Sequence, residues 1–377
     1  MEIYLDNSAT TQICKAAADK IIYIVNNIYG NPSSLHNKGL DAQHEVEAAR
    51  KTLAKALGTL DTEIYFTSGG TETNNTAVFG AAYAKKRQGN KIVTTGAEHS
   101  SVFEACKELE KQGFEVVYLQ PDISGHITAE QIENAVDKNT ILVSVMNVNN
   151  ETGAIFPVDK IKKIIDRKKA TALFHCDAVQ AFGKIPVKPY KIGADLLTVS
   201  SHKIHGPKGC GALFVRKGVY IKPLLYGGEQ QRKIRPGTEA VPLIAGFGEA
   251  VSQISPYSQT LEAMTALRDY TVKRLSQIGG IVINSPEDAL PYIVNISVTG
   301  IKSETLLHFL EEREIYVSSG SACAKGKQSH VLTSMGLPKN ITDSALRISF
   351  SKFSTTQDAD ALANAIEQAS KSLIRNS

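Results

Sequence analysis

The sequence predicts an α/β protein, with a large domain built on a mainly parallel sheet and a smaller α+β domain after it. Three observations carry that expectation. Short apolar runs recur at Ile64–Thr67, Lys91–Thr94, Phe114–Leu119, Thr140–Met146, Thr171–His175 and Asp195–Val199. Amphipathic helices fill most of the gaps, the spacing of a parallel sheet covered on both faces. The composition then changes after Gly237, where a long helical stretch from Ala240 to Ile278 leads into shorter strands. The expected division is 13–250 for the large domain, with 1–12 and 251–377 forming the small one.

Taken in order, Asn31-Pro32-Ser33-Ser34 is a polar turn after a first helix. The next helix, Lys38–Leu57, carries Val46, Ala49, Leu53 and Leu57 on one face and stops at Gly58. Further helices are expected over Val102–Gln112, after the capping pair Thr128 and Gln131, and over Val158–Arg167. In the second part, strands are expected at Ile293–Val298, Ile315–Ser318 and Leu346–Phe350, with helices at Glu304–Glu312 and Asp358–Leu373.

A net charge of +4 with acids and bases interspersed argues against a nucleic-acid or membrane partner. The N-terminus lacks a signal-peptide pattern and no apolar run approaches a bilayer's thickness, so the expected location is cytoplasmic. Cys14, Cys106, Cys176, Cys210 and Cys323 are odd in number and have no CxxC spacing, which disfavours both disulfides and a thiolate metal site.

Polar signatures follow five of the apolar runs: Gly69-Gly70-Thr71, Glu98-His99, Asn149-Asn150-Glu151, Asp177 to Gln180, and Lys203. Ligands of open parallel sheets bind at these carboxyl ends. Lys203 stands in Ser200-Ser201-His202-Lys203, and the Gly206-Pro207 turn keeps that stretch from becoming a helix. A lysine so held suits a Schiff-base nucleophile. Ser200 and His202 suit a phosphate, as do the free N–H groups of a helix opening at Gly70 and Thr71. Asp177 can keep a pyridine nitrogen protonated, Gln180 can reach a ring hydroxyl, and His99 can stack on the ring. Together these residues specify pyridoxal 5′-phosphate. No dinucleotide or phosphate loop fits, because the glycines lead into a strand and Lys208-Gly209-Cys210 lacks the required Ser or Thr. His202-x-x-His205 lacks the helix that would align two metal ligands, so no metal is expected.

Leu5-Asp-Asn-Ser-Ala-Thr-Thr, Phe66-Thr-Ser-Gly-Gly-Thr-Glu-Thr-Asn, Val148-Asn-Asn-Glu-Thr-Gly, Asp177-Ala-Val-Gln180, the Ser-His-Lys stretch, Arg235-Pro-Gly-Thr238 and Ser318-Ser-Gly-Ser-Ala-Cys323 resemble the cysteine desulfurases. These are fold-type I pyridoxal-phosphate transferases of the class V aminotransferase group. The resemblance implies that Lys203 binds the cofactor and later moves the proton, and that His99 stacks and assists as acid or base. It implies that Gly70, Thr71, Ser200 and His202 hold the phosphate with Thr238 from the other subunit of a homodimer. Asn150 and Arg347 would take the substrate carboxylate. Cys323 would attack the sulfur of L-cysteine and pass it to an acceptor protein, an iron–sulfur scaffold or a tRNA-thiolation enzyme. Cys323 itself lies in a run of small residues, with Lys325 and Lys327 nearby to favour a thiolate. Ser351 stands where the family has a glycine. The rival readings are a selenocysteine lyase, a class V aminotransferase that needs no cysteine, and a catalytically silent interaction subunit.

Overall fold

The computed structural model describes residues 2–320 and 328–373. In chain order its strands are β1 (Ile3–Tyr4), β2 (Ile64–Thr67), β3 (Lys91–Thr95), β4 (Glu115–Leu119), β5 (Thr140–Ser144), β6 (Leu173–Asp177), β7 (Leu196–Ser200), β8 (Gly211–Val215), β9 (Ile281–Ile283), β10 (Ile293–Val298), β11 (Ile315–Tyr316) and β12 (Ala345–Ser349). Seven form one sheet in the order β2-β8-β7-β6-β5-β3-β4. It is parallel except for β8, which runs against both β7 and β2.

Every residue of β5, β6, β7 and β8 is buried, which is why their sequences read as near-continuous apolar runs. Their side chains alternate between two cores. Ile92, Leu142, Leu196 and Leu213 share one face with Ala77, Val78 and Ala81 of the helix Gly70–Lys85. Val93, Val143, Phe174, Leu197 and Phe214 belong to the other. Each such side chain fully buried is worth roughly 1.5–3 kcal/mol, so truncating Phe174 would be felt by the whole sheet.

The helix caps follow the sequence chemistry. The helix Asn37–Leu57 begins where the His36 ring accepts the Gly39 N–H, and it ends at Gly58 with φ 71°. Thr128 and Gln131 form a reciprocal capping box.

The stretch from Ala240 to Ile278 departs from expectation. It is two helices, Val241–Ser252 and Tyr257–Leu275. Pro256 has no N–H to continue a helix and biases Ser255 away from helical torsions, so the chain breaks there. After it, β12, β10 and β9 form an antiparallel sheet, and β11 pairs in parallel with β1. Residues 5–12 thereby tie the small sheet to the large one: Asn7 Nδ2 donates to Ser349 O (2.9 Å) and Thr11 N–H to His202 O (2.9 Å). Among the described residues no helix is long and apolar enough to cross a membrane.

Candidate active site

A cavity of about 240 Å³ opens at the carboxyl ends of β3, β5, β6 and β7. Gly70, Thr71, His99, Asn150, Asp177, Gln180, Ser200, His202, Lys203 and Arg347 all line it. The structure therefore brings together ten of the residues singled out in the sequence. Thr238 is exposed and does not line the cavity. Cys323 lies outside the described residues, as do Lys325 and Lys327.

Lys203 ends the short 3-10 turn Ser201–Lys203 that caps β7. Its ammonium donates to the carbonyls of Ser8 and of Ala9 (2.7 Å to the latter), so the N-terminal segment sets its direction. Asp177, the last residue of β6, is buried. Its Oδ1 accepts the Val179 N–H at 2.9 Å and its Oδ2 accepts the Asn74 amide at 2.7 Å. Burial raises its pKa, while those hydrogen bonds and Lys203 pull it back down.

The same Asn74 nitrogen donates to Ser101 Oγ (2.8 Å), and that hydroxyl contacts His99 Nδ1 (2.8 Å). His99 is the N-cap of the helix Ser100–Lys111, and Nδ1 also accepts the Ser101 N–H. This assigns the hydrogen of the neutral ring to Nε2. Burial and the Lys203 charge lower the His99 pKa to about 4, so the ring is neutral near pH 7. The acid and the imidazole are thus joined through Asn74, which closes a quoted motif but has no task assigned there, and Ser101, which lies in none.

The fit of pyridoxal 5′-phosphate can be tested on what the cavity leaves open. Ser200 Oγ is buried with no protein partner, beside the first turn of the helix that starts at Gly70. A Cβ on Gly70 would stand 3.3 Å from Val179 Cγ2 and 3.7 Å from Ser200 Cβ, filling the cradle. His202 uses Nδ1 on Thr10 Oγ1 (3.1 Å), and burial with the nearby lysines keeps it neutral, its pKa lowered to about 4. Gln180 spends Nε2 on Ser8 O and Oε1 on the buried Lys184 ammonium, both at 3.0 Å. One amide hydrogen of Gln180 is left, which suits a ring oxygen. Phosphate cradle, acid, neutral imidazole and lysine fit the cofactor: Gly70, Thr71, Ser200 and His202 would hold its phosphate, Asp177 its ring nitrogen, and Lys203 its aldehyde carbon.

Beyond the lysine, Arg347 on β12 is 2% exposed. It donates to Asn150 O (3.0 Å) and pairs with Asp6 (2.8 Å), leaving Nε without a partner. Asn150 Oδ1 and Glu151 Oε1 are likewise buried and unpartnered. His330 also lines the cavity; its Nε2 donates to Glu98 O (2.8 Å) and its ring stacks on Phe103. Asp6 and Glu151 lay inside motifs quoted from the sequence, yet no periodicity assigned either of them a task. The thiols of Cys14, Cys106, Cys176 and Cys210 are buried, and burial pushes Cys210 up to about 12, so none of these four is a ready nucleophile.

Residues 3–362 match the aminotransferase class-V family. The chain is 41% identical over 370 residues to a cysteine desulfurase IscS of Methanosarcina thermophila, covering 97% of this chain and 91% of that protein. It is 39% identical to the putative cysteine desulfurase IscS 1 of Bacillus subtilis, over 98% and 99% of the two chains. Among solved structures, a NifS-like protein superposes with a TM-score of 0.92 at 38% identity, covering 98% of this chain and 99% of the other. A structure of SspA in complex with cysteine superposes with a TM-score of 0.83 at 32% identity, over 94% and 100%. These are pyridoxal-phosphate enzymes, in keeping with the cavity. The chain belongs to the class-V aminotransferase family and, within it, to the cysteine desulfurases.

Proposed function

We propose that the protein takes sulfur from L-cysteine, leaves L-alanine, and carries the sulfur as a persulfide on Cys323 to an acceptor protein. The observation that supports this best is the convergence of Lys203, Asp177 and His99 with the buried cation Arg347 in one cavity. An amino acid offers the complementary groups, a carboxylate for Arg347 and an amino group for the lysine end.

When bound, pyridoxal 5′-phosphate supplies an electron sink for the charge that develops at the substrate α-carbon. The chain does the rest. Arg347 and Asn150 orient the substrate by its carboxylate end, and Lys203 Nζ moves the proton at the α-carbon. His99, neutral with its hydrogen on Nε2, is set to exchange a proton with the substrate amino or thiol group. The Cys323 thiolate bonds to the substrate sulfur as the carbon–sulfur bond breaks, and the carbon left behind takes a proton. L-cysteine and the Cys323 thiol thus become L-alanine and the Cys323 persulfide, with atoms in balance.

The working unit in this reading is a cytoplasmic homodimer. Thr238 is exposed and apart from its own cavity, whereas an open groove lined by Thr71, His202 and Lys208 lies beside the phosphate cradle, free to take Thr238 of the partner subunit. Ile22, Tyr23, Val25 and Tyr29 are exposed and offer apolar surface for a second copy. The acceptor is an iron–sulfur scaffold or a tRNA-thiolation enzyme. The domain division assigns residues 13–250 to the large domain and 1–12 with 251–377 to the small one.

The test is incubation with L-cysteine and no added thiol. Alanine and protein persulfide should form one for one, and Cys323→Ser should form neither. Amino transfer to a 2-oxo acid would instead mark an aminotransferase, and turnover confined to selenocysteine a lyase.

A further inference from the structure

We propose that Glu151 is a second recognition group for the substrate carboxylate, keeping a proton on Oε1 and donating it as a hydrogen bond beside Arg347. This deepens the desulfurase reading and rests on it for the identity of the substrate.

Glu151 follows β5 in the turn that carries Asn150; it is 0% exposed and lines the cavity. One of its oxygens is already committed. Oε2 accepts the Ser329 hydroxyl at 2.5 Å, and a Cβ added to Gly320 would stand 3.1 Å from it. Ser329 Oγ meanwhile accepts the Leu332 N–H (3.1 Å) as the cap of the helix His330–Ser334. Its hydroxyl hydrogen is directed at Glu151, so Oε2 is the acceptor of that bond. Any proton on this carboxyl sits on Oε1, which is buried and has no protein partner.

Burial favours the neutral form of this carboxyl. Burial holds its pKa above the ordinary range, although Ser329, Arg347 and His330 pull the other way. Buried and without a paired cation, an ionised Glu151 would leave an uncompensated charge. It would also spoil the site. Arg347 already answers Asp6, so a second nearby carboxylate would turn an incoming anion away. A neutral Glu151 leaves that cation available.

Two buried donors then stand unsatisfied in one cavity, Arg347 Nε–H and Glu151 Oε1–H, and they are not bonded to each other. A carboxylate has two oxygens to answer them. A carboxamide has one carbonyl oxygen and brings two further N–H donors to an already donor-rich corner. The pair accordingly selects free amino acids over amides and peptide-linked residues.

The experiment compares KM and kcat for L-cysteine and L-cysteine amide in the wild type, Glu151→Ala and Glu151→Gln. Losing one hydrogen bond to a charged acceptor should raise KM for L-cysteine about tenfold or more in the Ala variant, with kcat changed less than about threefold. KM for the amide should hardly move. Gln, whose amide N–H replaces Oε1–H, should recover most of the loss. Should the Ala variant fail to fold, Glu151→Met, of similar length and without a donor, takes its place. Equal KM changes for acid and amide, or a Gln variant no better than the donor-less one, would overturn the proposal. Calorimetric binding of L-alanine against L-alanine amide reads the same preference without turnover. A protein that releases no alanine from cysteine yet binds L-alanine through Glu151 would sink the desulfurase reading alone.

Discussion

Asn74 Nδ2 lies 2.7 Å from Asp177 Oδ2, and its other hydrogen reaches Ser101 Oγ, so one amide fixes the acid and, through the hydroxyl, the ring of His99. Both contacts are buried, where a hydrogen bond to a charged group is worth about 1.5–3 kcal/mol. Asn74→Ala should therefore retain pyridoxal 5′-phosphate roughly ten- to a hundredfold less tightly. Asn74→Asp should be worse still, because a second carboxyl against Asp177 raises the cost of ionising either. Cofactor dissociation constants from equilibrium dialysis check both, and equal affinity in wild type and Asn74→Ala would remove Asn74 from the site.

Glu98 gives a pH dependence of known sign. Its Oε1 accepts from Thr95 and from the Met146 N–H, but Oε2 is buried and unpartnered, and burial raises its pKa to about 8. A carboxyl raised from its ordinary value of 4.5 contributes stability that is complete below that value and is lost as pH rises through about 8. Each unit of that window costs about 1.4 kcal/mol. Glu98→Gln keeps the acceptor oxygen and cannot ionise, so it should gain on the wild type steadily from pH 5 to pH 8. Urea midpoints at several pH values measure the gap. A gap that stays constant across that range means Glu98 does not titrate there.

Gly70 tests the cradle. Its backbone tolerates a side chain, since its φ is not positive, and it begins a helix where glycine is the weaker former. A Cβ there would nevertheless meet Val179 at 3.3 Å and crowd Ser200. Gly70→Val should fold, with a melting temperature within a few degrees of wild type, and should bind the phosphate end at least about tenfold more weakly. Gly70→Ala should fall between. If free phosphate and pyridoxal 5′-phosphate bind to Gly70→Val as to wild type, the phosphate lies elsewhere.

These residues show how far the sequence could be read. Lys203, Asp177 and His99 were legible because each comes directly after an apolar run, and a parallel sheet gathers such ends. The task of Asn74 was not, although the residue closes a quoted motif, because it faces the site from within a helix, where an Asn reads as one more polar position. Asp6 and Glu151 were inside quoted motifs, but their tasks arise only when residues 5–12 and 345–349 fold against the turn after β5. β1 holds two residues, too few for any period to register, whereas β11, equally short, falls inside the strand expected at Ile315–Ser318. The break before Pro256 was legible in principle and was overridden by the apolar stretch around it. Ser351, in place of a glycine, has no positive φ; its hydroxyl accepts the Phe353 N–H (3.3 Å) and closes a local turn.

Asp6 and Arg347 make the last test, since they tie stability to substrate binding. Their ion pair is 2.8 Å long and nearly buried on the arginine side, with side-chain exposures of 19% and 2%. Removing one partner of such a pair leaves a buried charge and costs about 3–5 kcal/mol, whereas Asp6→Asn keeps a carbonyl acceptor and should cost less. An amino-acid carboxylate arriving at Arg347 supplies the missing negative charge. Ligand that binds only the folded state stabilises it in proportion to its affinity. Asp6→Asn should therefore melt below the wild type without ligand, yet gain more from saturating L-alanine, because its arginine has lost a competitor. Arg347→Lys should melt near the wild type and gain little, as a lysine cannot reproduce the planar fork. Thermal shifts with and without L-alanine measure all three proteins. If Asp6→Asn gains no more than the wild type, Arg347 is a structural cation and the carboxylate is held elsewhere.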